Sequence, residues 1–169
     1  TNGESGLKLA GSLTIPREGR RFTAAILITG SGRQDRNETI LEHKPFWVIA
    51  DYLTRNGVAV LRVDDRGIGG SEAGDGNETS LDFATDLQAT VKFLRSYPRM
   101  NPKDIWLVGH SEGVASARDL ERLRLAKVAK PHREAVHRSV PFSQEVSVST
   151  IGLEAAPPLF ISLLQRATE

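Results

Sequence analysis

Apolar and polar residues follow two different periods along the first two-thirds of the chain, and together they predict alternating strands and helices. Nearly continuous apolar runs at 24–29, 58–63 and 104–108 are typical of short strands that are buried on both faces. Between these runs, apolar residues recur at helical spacing after Pro45 and after Thr79, and both residues are well suited to begin a helix. This alternation predicts an α/β sheet with parallel strands.

An alternating segment at 7–15 precedes the first buried run and ends at Pro16, which predicts an antiparallel opening strand. The three buried runs then form the centre of the sheet. We therefore expect Leu27, Val60 and Leu107, one from each run, to be buried on adjacent parallel strands.

The composition changes at Gly113, because fourteen of the fifteen glycines lie at or before this residue. A parallel sheet uses glycine where strands turn into helices, so the depletion predicts an atypical C-terminal part. The length favours a single domain over residues 1–169, in which 6–113 form the core and 114–169 form an atypical tail.

The tail contains a helical pattern at 114–129, a weak alternation at 146–148 and a strand-like segment at 158–164. If the sheet ends with the strand at 104–108, one edge stays unpaired and apolar surface stays open. Tail segments could cover that surface within one chain or across two, and two-fold pairing is the commonest arrangement. We therefore expect a homo-oligomer.

Charge and composition exclude several classes of protein. The chain of 169 residues has a net charge of +1, which gives no basis for binding nucleic acid or an anionic membrane. No apolar run approaches the roughly 18 residues of a membrane span, and there is no cysteine for disulfides or a thiolate metal site. We expect a soluble protein, either cytoplasmic or exported after removal of a leader.

The pentapeptide at 109–113, Gly-His-Ser-Glu-Gly, is the most informative motif. It follows a predicted strand and precedes a predicted helix, which is the context of a nucleophile elbow with Ser111 as the nucleophile. The backbone N–H of Glu112 can then donate to an oxyanion, and a second donor is expected from the loop after an earlier strand. We choose the backbone N–H of Ser31, in a Gly-Ser-Gly loop, as this second donor. Each donor lowers the activation barrier by roughly 3 kcal/mol.

Other polar motifs favour structural roles. The dipeptides at 35–36 and 65–66, both Asp-Arg, predict ion pairs that fix loop shape. His43 precedes a predicted helix, and we expect a surface or loop-packing position for it rather than a role as a base. The glycine-rich segment at 67–70 does not predict dinucleotide binding, because Glu72 occupies the third glycine position. With no phosphate loop and no metal-ligand spacing, we expect no cofactor and no metal.

Several of these segments, in the same order, resemble the α/β-hydrolase superfamily, and most closely its dienelactone-hydrolase and acyl-peptidase-like branch. The matching segments are 9–16, 30–36, 43–46, 57–62, 64–69 and 109–113. The resemblance implies an α/β-hydrolase fold that is truncated or has an atypical C-terminal part. It also implies Ser111 as the nucleophile, an oxyanion hole at Ser31 and Glu112, and hydrolysis of a small-molecule carboxylic ester in preference to a peptide.

The resemblance ends at Gly113, so it does not identify the acid and the histidine of a catalytic triad. The family order is serine, acid, histidine, and three further strand–helix units would need about 90 residues, whereas 58 follow Ser111. Asp119 lies on a helix that leads away from the site. His132 and His137 remain as candidate bases, with glutamates at 145 and 154 as partners in the opposite order.

Two functions from different classes are compatible with these observations. The first is a shortened serine esterase whose base comes from the tail or from a second subunit. The second is a non-catalytic remnant of an α/β-hydrolase that serves as an oligomerisation or binding module. The retained motif around Ser111 favours the first, and the glycine-poor tail favours the second.

Overall fold

The computed structural model describes residues 1–113, 116–117, 119–120, 162 and 166, together with the backbone of 136–142 and 146–152. The described residues form strands and helices in the order β1 Gly11–Thr14, β2 Phe22–Ile28, α1 Pro45–Arg55, β3 Ala59–Val63, α2 Ser80–Ser96, β4 Met100–His110, β5 Val136–Phe142 and β6 Val146–Gly152. Gly113 and the described residues from 116 to 120 are helical, which agrees with the start of the helix predicted at 114–129.

These strands form one sheet in the order β1-β3-β2-β4-β6-β5. β3, β2 and β4 are parallel neighbours at its centre, and β1 is antiparallel to β3. Leu27, Val60 and Leu107 are 3%, 0% and 6% exposed on these three strands. The prediction of adjacent buried parallel strands is therefore confirmed.

The edge of β4 is covered within the chain by tail residues, which is one of the two arrangements considered from the sequence. β6 pairs with β4 in antiparallel register, with His110 opposite Val148, and β5 pairs with β6 as an antiparallel hairpin. A three-residue connection between Phe142 and Val146 suits such a hairpin. Among the described strands the outer edge is therefore β5, where Pro141 is tolerated because an edge strand needs fewer backbone donors.

The strand expected at 158–164 lies mostly outside the described residues, and its described member, Ser162, is helical.

Two layers of helix cover the sheet. α1 buries Phe46, Ile49 and Leu53 against one face, where they meet strand residues such as Val60 and Val108. On the other face, α2 packs against the sheet together with two described residues after β4. This second cluster includes Ile26, Leu61, Leu87, Val91, Leu94, Leu107, Ala117 and Leu120. The parallel strands β2, β3 and β4 are thus buried on both faces, as their continuous apolar runs predict.

The helix ends follow the predicted signals. Pro45 is the first residue of α1, where its missing N–H costs no hydrogen bond. Thr79 caps α2 with Asp82 three positions later, and the Asp82 carboxylate accepts the Thr79 N–H at 2.9 Å. This bond holds the pKa of Asp82 below its ordinary value. None of the described helices has the length and apolar character needed to cross a bilayer.

Truncation of a side chain in the α1 layer is expected to test this packing. Leu53 is fully buried, so Leu53→Ala should lower the free energy of unfolding by about 2–5 kcal/mol. Val48 lies on the same helix and is 59% exposed, so Val48→Ala should change it by less than about 0.5 kcal/mol. Urea unfolding curves measure both changes. Equal effects of the two variants would contradict the described orientation of α1.

Candidate active site

Ser111 lies on a tight turn between β4 and the helical residues that follow it. Its φ is +50°, a left-handed conformation that costs a residue with a Cβ roughly 1–2 kcal/mol, and its side chain is exposed. Gly113 completes the turn, because a Cβ there would lie 2.5 Å from the carbonyl oxygens of Ile28 and Thr29. We call residues 109–113 the serine turn. The turn is held directly against the end of β2.

The loop that follows β2, residues 29–34, lies against the serine turn. A Cβ at Gly30 would lie 3.3 Å from the Ser111 Cβ and 3.1 Å from the Nδ1 of His110. Ser31 follows Gly30 and Glu112 follows Ser111, so both predicted oxyanion donors come from backbone segments that touch each other. Both side chains are exposed. The oxyanion role of their N–H groups stays a prediction.

Glu38 joins these two segments, although no motif in the sequence points to it. Its Oε1 accepts the Gly30 N–H at 2.8 Å and lies 2.5 Å from the His110 Nδ1. The residue is 2% exposed and has a φ of +52°. Glu38 precedes His110 by 72 positions, so no local spacing relates them. The only sequence signal for Glu38 was its position, as a glutamate shortly after the Gly-Ser-Gly loop.

Asp65 fixes both ends of the 29–34 loop. Its carboxylate accepts the Thr29 hydroxyl at 3.0 Å and the Gln34 N–H at 2.8 Å. Burial raises the pKa of Asp65 to about 6, and the nearby charges of Asp86 and Glu38 add to this rise. The two hydrogen bonds act in the opposite direction. The loop is therefore held by a carboxylate that changes charge near neutral pH.

Asp64 connects the same loop region with β1. Its carboxylate accepts hydrogen bonds from the Arg36 side chain at 2.5 and 2.9 Å and from the Gly70 N–H at 3.0 Å. Arg36 also donates to the Ser12 hydroxyl. Burial opposes ionisation of Asp64, but the Arg36 and Gly70 bonds outweigh it and hold its pKa below the ordinary value.

The Asp-Arg dipeptides therefore do fix loop shape, although their partners are distant. Arg36 pairs with Asp64 rather than with its neighbour, and Arg66 pairs with Asp86 and Asp82 on α2. Asp35 accepts the backbone N–H groups of Asn37 and Thr39 instead. His43 is exposed, as expected.

A cavity of about 240 Å³ opens beside the serine turn, between the carboxyl ends of β2 and β3 and the helix α2. Its lining combines both backbone segments of the site with apolar side chains. It includes Gly30, Asp65, Phe83, Leu87, Glu112 and Ser116. A small, largely apolar group attached near Ser111 would fit a space of this size.

The structure places His137 away from Ser111. His137 pairs with Ile151, which pairs in turn with Leu107. Leu107 precedes Ser111 by about 13 Å of strand, and two strand spacings add about 10 Å across the sheet. The backbone positions of His137 and Ser111 are therefore separated both along and across the sheet, and the role of His137 as a base stays a prediction. His132 lies outside the described residues.

The remaining candidates add no second site. Asp119 is helical, and the glutamates at 145 and 154 lie outside the described residues. In the part of the chain that the structure describes, no group of three carboxylates and histidines is arranged to hold a metal ion. No hydrogen bond joins Ser111 to any other side chain among these residues.

The raised pKa of Asp65 leads to a prediction about stability. The folded state binds a proton to Asp65 more tightly than the unfolded state, so stability from this group is present below about pH 4 and is lost as the pH rises through about 6. The amide in an Asp65→Asn variant would not titrate, and it can accept from Gln34 and donate to Thr29. Asp65→Asn should therefore gain about 2 kcal/mol over the wild type between pH 4 and pH 7.

Urea unfolding at several pH values measures this difference. A difference that stays constant across the range would show that Asp65 is not the titrating group.

Comparisons with known proteins relate the chain to one family and to an esterase. The family described as Serine aminopeptidase, S33 matches residues 44–130, just over half of the chain. Esterase EstD from Thermotoga maritima is 28% identical over 149 residues, which cover 84% of this chain and 36% of that protein. The chain thus spans about a third of the length of this relative.

Solved structures show the same fold, which confirms the α/β-hydrolase fold class expected from the sequence. Est1E from Butyrivibrio proteoclasticus with bound ferulic acid is 25% identical, with a TM-score of 0.57 over 72% of this chain and 46% of that one. The α/β-hydrolase GrgF from Penicillium sp. sh18 is 20% identical, with a TM-score of 0.57 over 100% of this chain and 66% of that one. The chain belongs to the serine aminopeptidase S33 family of α/β-hydrolases.

Proposed function

We propose that the protein is a serine hydrolase that cleaves carboxylic esters, with Ser111 as the nucleophile. The observation that carries the proposal is the conformation of Ser111, a left-handed, exposed residue on a strand-to-helix turn that packs against Gly30. Strain of this kind at an exposed polar residue is typical of functional sites. Glu42 is also exposed and left-handed, so Ser111 is distinguished by its place between β4 and the helical residues that follow, which is the context of a nucleophile elbow.

In the proposed mechanism, the Ser111 Oγ attacks the ester carbonyl while a base takes its proton. The carbonyl oxygen becomes an oxyanion, which accepts hydrogen bonds from the backbone N–H groups of Ser31 and Glu112. The alcohol then leaves with a proton and an acyl-enzyme remains. Water, activated by the same base, hydrolyses this ester and restores Ser111.

The cavity beside the serine turn supports an ester with a compact, apolar acyl group. Its lining joins Gly30 and Glu112 to Phe83 and Leu87, so an acyl group on Ser111 could enter it directly. The names of two of the compared proteins point the same way, since one is an esterase and the other was solved with bound ferulic acid, an aromatic carboxylic acid. We propose short aliphatic or aryl esters as substrates and no cofactor.

The base is proposed to come from the tail, 114–169, with His132 or His137 as candidates. The backbone pairing of β5 favours His137 as a base across a homo-oligomer rather than within one chain. His132 could serve in either arrangement. A non-catalytic binding module remains the second candidate function, favoured by the absence of a described histidine bonded to Ser111.

A fluorophosphonate probe separates the two functions, because it labels only an activated serine. We expect the wild type to be labelled and to hydrolyse a nitrophenyl ester, and Ser111→Ala to abolish both, with turnover reduced at least ~10³-fold. Ser96→Ala, on the exposed end of α2, is the matched control and should behave as the wild type. An unlabelled but folded wild type would support the binding module. Faster cleavage of an aminoacyl nitroanilide would support a peptidase.

Alanine variants of the tail histidines test the source of the base. We expect the His132→Ala, His137→Ala double variant to lose at least ~100-fold of turnover, since general base catalysis contributes this much. Mixing it with Ser111→Ala should restore some activity if the base comes from a second copy. Full activity of the double variant would exclude both histidines. A monomer mass at micromolar concentration by light scattering would exclude the shared site.

A further inference from the structure

We propose that Glu38 is a positioning residue that holds the serine turn and the 29–34 loop in register through one carboxylate oxygen. The proposal deepens the proposed function, because it concerns how the nucleophile and the oxyanion donors keep their relative positions. It rests on the contacts of Glu38 with two backbone segments, around Gly30 and His110, that are far apart in sequence.

The geometry places Glu38 between the two segments. The Gly30 N–H donates to Oε1 at 2.8 Å, and the His110 Nδ1 lies 2.5 Å from the same oxygen. Because Oε1 already accepts the Gly30 N–H, His110 is best assigned as a donor through Nδ1–H. We call this pair of contacts the Glu38 clamp, because one oxygen that accepts from both segments limits how far they can separate. A Cβ at Gly30 would contact both groups at 3.1 Å, so the space between them is already filled.

Each of the two donors is the immediate neighbour of a proposed site residue. His110 precedes Ser111, and Gly30 precedes Ser31. A shift of the Gly30 amide moves the Ser31 N–H, and a rotation of His110 moves the Ser111 turn. Misplacement by about 1 Å at a reacting centre is enough to reduce a rate ~100-fold. Glu38 therefore controls the distance between nucleophile and oxyanion donor without touching the substrate.

Burial of the Glu38 carboxylate and its left-handed backbone conformation both cost free energy of folding, and a functional role would account for that cost. Its carboxylate is almost completely buried, at 2% exposure for the residue, and its backbone adopts the left-handed region at φ +52°. Glu42, four residues later, has the same residue type and also a left-handed φ of +69°, but it is exposed. Glu42 therefore provides a matched control for both the side chain and the backbone conformation.

A different role for the same contact is that Glu38 orients His110 as the catalytic base. In the part of the chain that the structure describes, no hydrogen bond joins His110 to Ser111, so the positioning role is favoured. The two roles differ in what Glu38 must supply. Positioning needs an acceptor at Oε1, whereas an acid that supports a base needs a negative charge.

The test compares Glu38→Ala, Glu38→Gln and Glu42→Ala in the full chain, with kcat and KM measured on a nitrophenyl ester. We expect Glu38→Ala to lower kcat ~100-fold with little change in KM. Glu38→Gln should recover most of this loss, because its Oε1 can accept both hydrogen bonds. Glu42→Ala should match the wild type. His110→Asn, which retains a donor at the Nδ1 position, should be much more active than His110→Ala.

A Glu38→Ala enzyme with unchanged kcat would overturn the proposal. Equal losses in Glu38→Ala and Glu38→Gln, with an inactive His110→Asn, would overturn it in favour of a charged pair acting as base. Melting temperatures of all variants separate loss of folding from loss of alignment, and the isosteric Glu38→Gln keeps the comparison valid if Glu38→Ala is unstable.

If the wild type shows neither turnover nor fluorophosphonate labelling, the proposed function fails while the Glu38 clamp remains testable. Amide hydrogen exchange at Gly30, followed by NMR, then gives the result. Protection that is lost in Glu38→Ala and kept in Glu38→Gln supports the clamp, and equal protection in all variants overturns it.

Discussion

Hydrogen bonds from backbone N–H groups to buried or half-buried carboxylates hold the segment between β2 and α1, and the site depends on them. This segment has little regular secondary structure, so its amides need partners outside a helix or a ladder. Four carboxylates provide them: Glu38 binds Gly30, Asp65 binds Gln34, Asp64 binds Arg36, and Asp35 binds Asn37 and Thr39. Charged acceptors make stronger bonds than neutral ones, so an irregular loop gains a defined shape.

The arrangement also explains why acidic side chains collect at the carboxyl ends of β2 and β3 in a chain with a net charge of only +1. Each carboxylate is compensated locally, by Arg36 at Asp64 and by backbone and hydroxyl donors at Asp65. The negative charge of Asp65 is less well compensated than that of Asp64, and the pKa of Asp65 is raised to about 6. The defined shape of this loop therefore lowers the stability of the protein somewhat at neutral pH, as is common at functional sites.

The sequence was sufficient for elements whose signal is local. Apolar runs predicted β2, β3 and β4, proline and threonine marked the starts of α1 and α2, and the Gly-His-Ser-Glu-Gly pattern located the turn at Ser111. The sequence was insufficient for contacts between distant residues, because no regular spacing in the sequence relates Glu38 to His110. β5 also escaped prediction, since its Arg, His, Ser and Pro residues give no clear alternation and its strand character depends on pairing with β6.

Parallel pairing has a consequence for how this site forms during synthesis. β2 contacts β4 through partners such as Ala24 and Ile105, whereas Asp64 and Asp65 follow β3 directly. At about 5–20 residues per second, a ribosome needs roughly 2 to 9 seconds to extend the nascent chain from Asp65 to His110. During that interval the loop can find the carboxylates after β3, but Glu38 has no histidine to bind. The 29–34 loop therefore becomes ordered first, and the serine turn joins it last.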